Sequence, residues 1–145
     1  MFLVDTNVLV DAVNIDSDFH DRCRLCLDRA RQSASPWYLS WPICYDFMRV
    51  CTHPRVLSHS WNIAAAWNFL RTLLESPSAS VLLPTMRHDD IFEEIIAETP
   101  HLRGNVLHDL HTAVLMREHG VREIYTRATD FTRFKFLRVR DPLEE

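Results

Sequence analysis

The chain has 145 residues, 47% of them hydrophobic and 25% charged, the size and balance of one soluble globular domain, so disorder and a two-domain organisation are excluded. Its 16 basic and 20 acidic side chains give a net charge of -4, which excludes nucleic-acid binding through bulk positive charge alone. No apolar run approaches the roughly 18 residues of a spanning helix, and Met1–Val4 carries neither a basic leader nor a small-residue cleavage site. A cytoplasmic protein with reduced thiols and no membrane contact is expected.

Met1–Asp5 is an apolar run of strand formers ending on an acid, and Thr6-Asn7 offers caps for a helix through Val13. After the polar break Asp16-Ser17-Asp18, a helix is predicted over 18–32, with Phe19, Cys23, Cys26, Leu27 and Ala30 at three-to-four spacing. The Cys23-x-x-Cys26 pair lies inside this pattern, with no second pair at zinc-finger spacing, so core packing is expected. Cys44 and Cys51, two helical turns apart, read the same way. Trp37-Tyr38-Leu39 is a short strand. Ser40 caps a helix with Pro42 in its first turn, stopped by His53-Pro54. Ser60 can cap the next, 61–74, whose Trp61, Trp67 and Phe69 suit core or a dimer interface better than a base-stacking platform.

Ser80–Leu83 is a buried-strand candidate ended by Pro84, and 87–98 is an amphipathic helix with Ile91, Ile95 and Ile96 inward. A loop with Gly104 precedes a helix over 106–119, closed by Gly120 at its C-terminal cap. Strands follow at 121–126 and 136–139. Strands alternating with helices predict an α/β fold: one domain over residues 1–145, a central parallel sheet of four to five short strands and helices on both faces. The last 30 residues gather Arg117, Arg122, Arg127, Arg133, Lys135, Arg138 and Arg140, which reads either as a phosphate-facing surface or as a solvated face.

In open α/β sheets the reactive crevice lies at the carboxyl ends of the strands, so an acid that ends a strand stands out. Asp5 is such an acid, with Thr6 and Asn7 placed to hold its carboxylate or a water of a bound ion. Asp109 opens a helix just after Gly104-Asn105, and Asp130 follows the strand that ends at Thr126. Asp46 sits mid-helix among Tyr45, Phe47 and Met48, where an unpaired charge is costly. Four acids from separate segments suit a hard divalent cation shared with phosphate. With two glycines in the chain, neither a nucleophile elbow nor a phosphate-cradling glycine loop is available.

The stretches Val4-Asp5-Thr6-Asn7-Val8-Leu9, Tyr45-Asp46-Phe47-Met48-Arg49-Val50 with Thr52-His53-Pro54-Arg55-Val56, Gly104-Asn105-Val106-Leu107-His108-Asp109-Leu110-His111, Glu118-His119-Gly120 and Thr126 through Asp130-Phe131 to Arg133-Phe134 stand in that order. Together they resemble the PIN-domain ribonucleases of the VapC toxin type over nearly the whole chain. The resemblance implies a Mg²⁺- or Mn²⁺-dependent endoribonuclease, the toxin of a toxin–antitoxin pair. It also implies a homodimer and a VapB-like antitoxin whose C-terminal segment enters the acidic groove, where arginine suits a pocket of carboxylates.

By the same resemblance Asp5 and Asp109 are metal-site acids and Asp46 is the third catalytic acid. Thr126 supports them, and Arg49 either contacts phosphate or balances charge. Metal ions in such a site polarise the phosphoryl oxygen, activate water and stabilise the leaving oxygen. His108 and His111, at i, i+3 around Asp109, are expected to orient the carboxylate, contact RNA or pack rather than bind zinc. Asp11 reads as a solvated or supporting acid.

Two positions depart from the family pattern. Asp46 stands where Glu is usual, one methylene shorter, and Ala128 stands where an aspartate is usual, two residues before Asp130. Either Asp130 partly substitutes, or the chain is a catalytically impaired module that binds RNA or antitoxin. Ala128 is equally open to being natural or an inactivating substitution, and both readings predict weaker binding of a second metal.

Overall fold

In the computed structural model, which describes residues 1–144, the strands are β1 (Phe2–Val4), β2 (Trp37–Ser40), β3 (Ala79–Leu82), β4 (Glu123–Tyr125) and β5 (Arg138–Arg140). The helices are α1 (Thr6–Val13), α2 (His20–Gln32), α3 (Trp41–Cys51), α4 (Ile63–Leu74), α5 (His88–Glu98) and α6 (Val106–Glu118). All strand pairs are parallel, in the order β3-β2-β1-β4-β5. Among the described residues no helix is long and apolar enough to cross a membrane.

Leu3, Val4, Trp37, Leu39 and Ile124 of the strands are fully covered, as expected of a parallel sheet masked by helices. Helix α1 packs on α2 and α3, α3 packs on α4, and α5 packs on α6. From β1 the chain steps outward to β2 and β3, then crosses back to β4 and β5 on the other side. With right-handed crossovers this reversal places α5 and α6 on the opposite face from the earlier helices. It also makes the β1/β4 boundary a topological switch point, with a crevice beyond the carboxyl ends of those two strands.

The predicted elements all form, with local corrections. Helix α1 is capped not by Thr6 or Asn7 but by Asp5, whose Oδ1 accepts from Thr6 N at 2.7 Å. Helix α4 starts at Ile63 under an Asn62 cap, Oδ1 accepting from Ala65 N at 2.8 Å. Ser60 is passed over because Trp61 N is taken by Cys51 O at 2.8 Å, which ties the α3–α4 connection down before the helix can begin. The last strand starts two residues later than expected and ends one later, since Leu137 N bonds Phe134 O at 2.9 Å in a turn and Phe136 and Leu137 pack on the core. Cys23, Cys44 and Cys51 are buried and Cys26 is partly so, which fits the packing role.

Candidate active site

Val4 and Tyr125 are paired in register, so the next residues, Asp5 and Thr126, leave the sheet side by side at the switch point. Thr126 Oγ1 donates to Asp5 Oδ2 at 2.8 Å. The same oxygen accepts from Asn7 Nδ2 and Ala128 N, each at 3.0 Å, so the hydroxyl's one donor and two acceptor positions are all used. Asn7 Nδ2 also reaches Asp5 Oδ2 at 3.2 Å, and Asn7 Oδ1 takes Arg127 N at 3.1 Å. Asn7 and Thr126 thus bind Asp5 to the end of β4. Thr6 contributes its backbone amide to Asp5.

Asp5, Asp46, Asp109 and Asp130 line one recess of about 410 Å³, together with Thr6, Asn7, Asp11, Arg127 and Ala128. Asp46 arrives from α3 and Asp109 from the first turn of α6, where a carboxylate is favoured by the helix N-terminus. The four acids of the sequence reading therefore meet. Burial raises the carboxyl of Asp5, aided by the charge of Asp46 and opposed by the bonds from Thr126 and Thr6. Burial, then the neighbouring charges of Asp5 and Asp130, push Asp109 up to about 6, against Arg133 and His108.

The outer two acids carry arginines of their own. Arg49 Nη2 meets Asp46 Oδ1 at 2.6 Å and its Nε does so at 3.0 Å. Arg133 Nη2 lies 3.4 Å from Asp130 Oδ1. Ala128 borders the recess with a methyl group, so the position where the family has an aspartate offers no oxygen ligand.

The recess opens into a cleft of about 730 Å³ between α3 and the start of α6, lined by Ile43, Tyr45, Arg49, Asn105, His108 and Thr112 above the carboxylates. His108 is thus at the cleft, whereas the His111 ring lies edge-on to His88 with centroids 5.6 Å apart. The two histidines of the i, i+3 pair serve different places. Asp11 is not solvated but mostly covered, accepting from Arg127 Nη1 at 2.6 Å and Ser17 Oγ at 2.9 Å. The Arg127 guanidinium also lies 3.4 Å over the Phe19 ring. Sequence reading placed Arg127 only in a basic cluster. Its position immediately after the strand-ending Thr126 was the signal that it belongs to the wall of the site.

Most of that cluster is spent on ion pairs: Arg117 with Glu98, Arg127 with Asp11, Arg133 with Asp130, and Arg138 and Arg140 with Glu123. The aromatic group divides. Trp61 and Phe69 pack on buried Phe47 with centroids 6.3 and 5.2 Å away, while Trp67 stacks on exposed Trp41.

The donor set is all carboxylate oxygen, the chemistry of a hard divalent ion. Among the described residues no three His, Cys, Asp or Glu side chains are arranged to hold an ion directly.

A parallel α/β sheet with carboxylates gathered at its switch point defines a class of acid-site domain, and the comparisons identify which. The PIN domain model matches residues 2–137, and the chain belongs to that family, in its VapC branch. Ribonuclease VapC48 of Mycobacterium tuberculosis is 30% identical over 138 residues, 95% of this chain and 94% of its own. Among solved structures, Mycobacterium tuberculosis VapC20, a sarcin-ricin loop cleaving toxin, superposes with a TM-score of 0.68 at 17% identity, over 97% of this chain and 100% of that one. VapBC2 of Rickettsia felis, bound to a DNA fragment from its promoter, gives 0.66 at 15% identity over 96% of both chains.

Proposed function

We propose that this protein is a divalent-metal-dependent endoribonuclease, the toxin of a VapBC-type pair, acting in the cytoplasm. The observation that carries the reading is the convergence of Asp5, Asp46, Asp109 and Asp130 on one recess at the switch point. The raised carboxyl of Asp109 supports it, because crowded acids without a full set of cations make a site that a metal ion stabilises. Mg²⁺ or Mn²⁺ held by Asp5 and Asp109 supplies Lewis-acid activation of phosphodiester hydrolysis. Asn7 and Thr126 fix the Asp5 carboxylate, Thr6 adds its amide, and Asp46 and Asp130 accept protons or waters at the edges. Arg49 and His108 face the phosphate side of the cleft.

The partner reading rests on a second recess, about 540 Å³, lined by Trp41, Tyr45, Met48, Ile63, Ala64 and Trp67 between α3 and α4. Tyr45 borders both this apolar recess and the acid cleft. A VapB-like antitoxin can lay an apolar helix face on Trp41 and Trp67 and send an arginine past Tyr45 to the carboxylates. Two copies of the chain associate in this reading through apolar residues exposed on and before α5.

Ala128 favours a second reading, a PIN domain that binds but cuts poorly. Cleavage of RNA by the chain and by Ala128→Asp, with Mn²⁺ or with chelator and with Asp5→Asn as blank, decides between them. Metal-dependent cleavage by the chain itself is expected, and raised at low Mn²⁺ by Ala128→Asp. Cleavage by the variant alone makes the chain a disabled ribonuclease, and cleavage by neither leaves a binding module.

A further inference from the structure

Tyr45 is 69% exposed, the ring of a large aromatic residue standing in solvent on the lip of a cleft whose floor is Asp5, Asp46 and Asp109. It immediately precedes Asp46 on α3, and Arg49 follows one helical turn later. Residues at i and i+4 share a helix face with their Cβ atoms roughly 6 Å apart, a separation of the same order as that between the base and the phosphate of one nucleotide. Arg49 gives Nε and Nη2 to Asp46 Oδ1, and its side chain is 67% exposed, so its other N–H donors remain open to an anion.

Every wall of this cleft that could meet a phosphodiester is acidic or neutral except at Arg49 and His108. An aromatic face and an arginine fork one turn apart, beside hydrolytic carboxylates, form a stacking surface and a phosphate holder for a single strand. We infer that Tyr45 stacks the base of an unpaired nucleotide in the cleft and that Arg49 holds the phosphate next to it. The inference rests on the ribonuclease reading and adds which residues seat the strand. A base can lie on Tyr45 only when it is out of a duplex, so the pair also selects for unpaired RNA. The apolar recess on the other side of Tyr45 leaves a protein partner as the competing occupant of the same ring. The carboxylates and Arg49 on the cleft side favour the nucleotide.

The test is binding of a labelled single-stranded hexaribonucleotide, and of the same sequence as a duplex, followed by fluorescence anisotropy with Mn²⁺. The full chain is used in the Asp5→Asn background, so that the strand stays whole. Tyr45→Ala is expected to weaken single-strand binding about tenfold, in line with the loss of one stacked base. Tyr45→Phe should stay within about twofold of the parent, and neither should change duplex binding. Arg49→Ala should lower the slope of log affinity against log salt by about 0.7, one phosphate contact on a single strand, a slope that Tyr45→Ala leaves unchanged. Thermal melting of each variant shows that the fold is kept. Parental binding by Tyr45→Ala, or equal losses on single strand and duplex, overturns the assignment. If the unmodified chain also fails to cut RNA with metal, the ribonuclease reading falls with it; if it does cut, only the role of Tyr45 falls.

Discussion

Asp109 is placed where its ionised form is disfavoured three times over. It is half-buried, and the charges of Asp5 and Asp130 add to the effect of burial, lifting its carboxyl to about 6 from an ordinary 3.8. Between those two values the folded chain holds a proton that the unfolded chain has released, so stability falls as pH rises through this window. Asp109→Asn removes the penalty at similar volume. In metal-free buffer the variant is expected to be more stable than the parent by on the order of 1 kcal/mol at neutral pH, after discounting for partial solvent exposure. That corresponds to roughly 2–4 °C in melting temperature for a chain of this size. The gain should vanish below about pH 4, where both states are protonated. Added Mn²⁺ should raise the melting temperature of the parent and not of the variant. Melting curves across pH, with and without Mn²⁺, check both statements, and a variant less stable than the parent at pH 7 would refute the first. Asp5 and Asp109 stood out in the sequence because one ends a strand and the other opens a helix, whereas Asp46 lies mid-helix and stood out only as a charge among apolar neighbours and through the family resemblance. The pairing of Arg49 with Asp46 follows the charge-balancing reading, but that of Arg127 with Asp11 was harder to read. The first pair is local at i, i+3, but the second joins residues 116 positions apart, and sequence spacing carries no trace of it.

Helix α5 illustrates how a helix end can be secured from elsewhere in the chain. Arg87 at its N-cap makes no side-chain cap bond, which leaves first-turn donors to other partners. Glu118, in the last turn of α6, instead ties down Thr85, two residues before that N-cap, and the side chain of the first helical residue, His88. Its Oε1 accepts from Thr85 N at 2.8 Å and Thr85 Oγ1 at 2.7 Å, and its Oε2 meets His88 Nδ1 at 2.6 Å, with the Glu118 side chain fully covered. Burial acts to raise its carboxyl, but the bonds from Thr85 and His88 outweigh it and hold the group below its ordinary value. The stability this provides is therefore present above the unfolded carboxylate range and is lost as pH falls through the lower folded value. Glu118→Ala removes these charge-assisted bonds, leaves the exposed Thr85 donors to water, and is expected to destabilise the protein by about 1 kcal/mol. Amide exchange should quicken first at the start of α5. An unchanged exchange pattern there would show that Glu118 does not hold the helix. Helix lengths were readable from periodicity and capping residues, and α3 obeys its Ser40 and Pro42 signals. Where reading missed, at Ser60 against Asn62 and at the last strand, a backbone bond or a core contact from another segment decided the boundary.

The order β3-β2-β1-β4-β5 puts the acid recess on the edge formed by strand ends, and one face of α5 is exposed to solvent among the described residues. Phe92 and Ile96 share that face at i, i+4 spacing and are 40% and 39% exposed, with Leu83 and Met86 exposed just before the helix. The sequence reading counted Ile96 as inward; the helix instead buries Ile91 and Ile95, and the residue one step on, 100° around the helix, turns outward. Apolar residues gathered on one exposed helix face mark an association surface more often than a solvated one. A stable pair needs on the order of 1,000 Å² buried in total, which one helix and its leading loop can supply when duplicated about a two-fold axis. The double variant Phe92→Glu, Ile96→Glu sets like charges across such an axis and removes the apolar contact. Light scattering of the purified chain is expected to give twice the chain mass for the parent and the single-chain mass for the variant, with melting temperature little changed because both residues lie outside the core. A variant that keeps the doubled mass would move self-association to the Trp41 and Trp67 recess, and would then place it in direct competition with the antitoxin for the same surface.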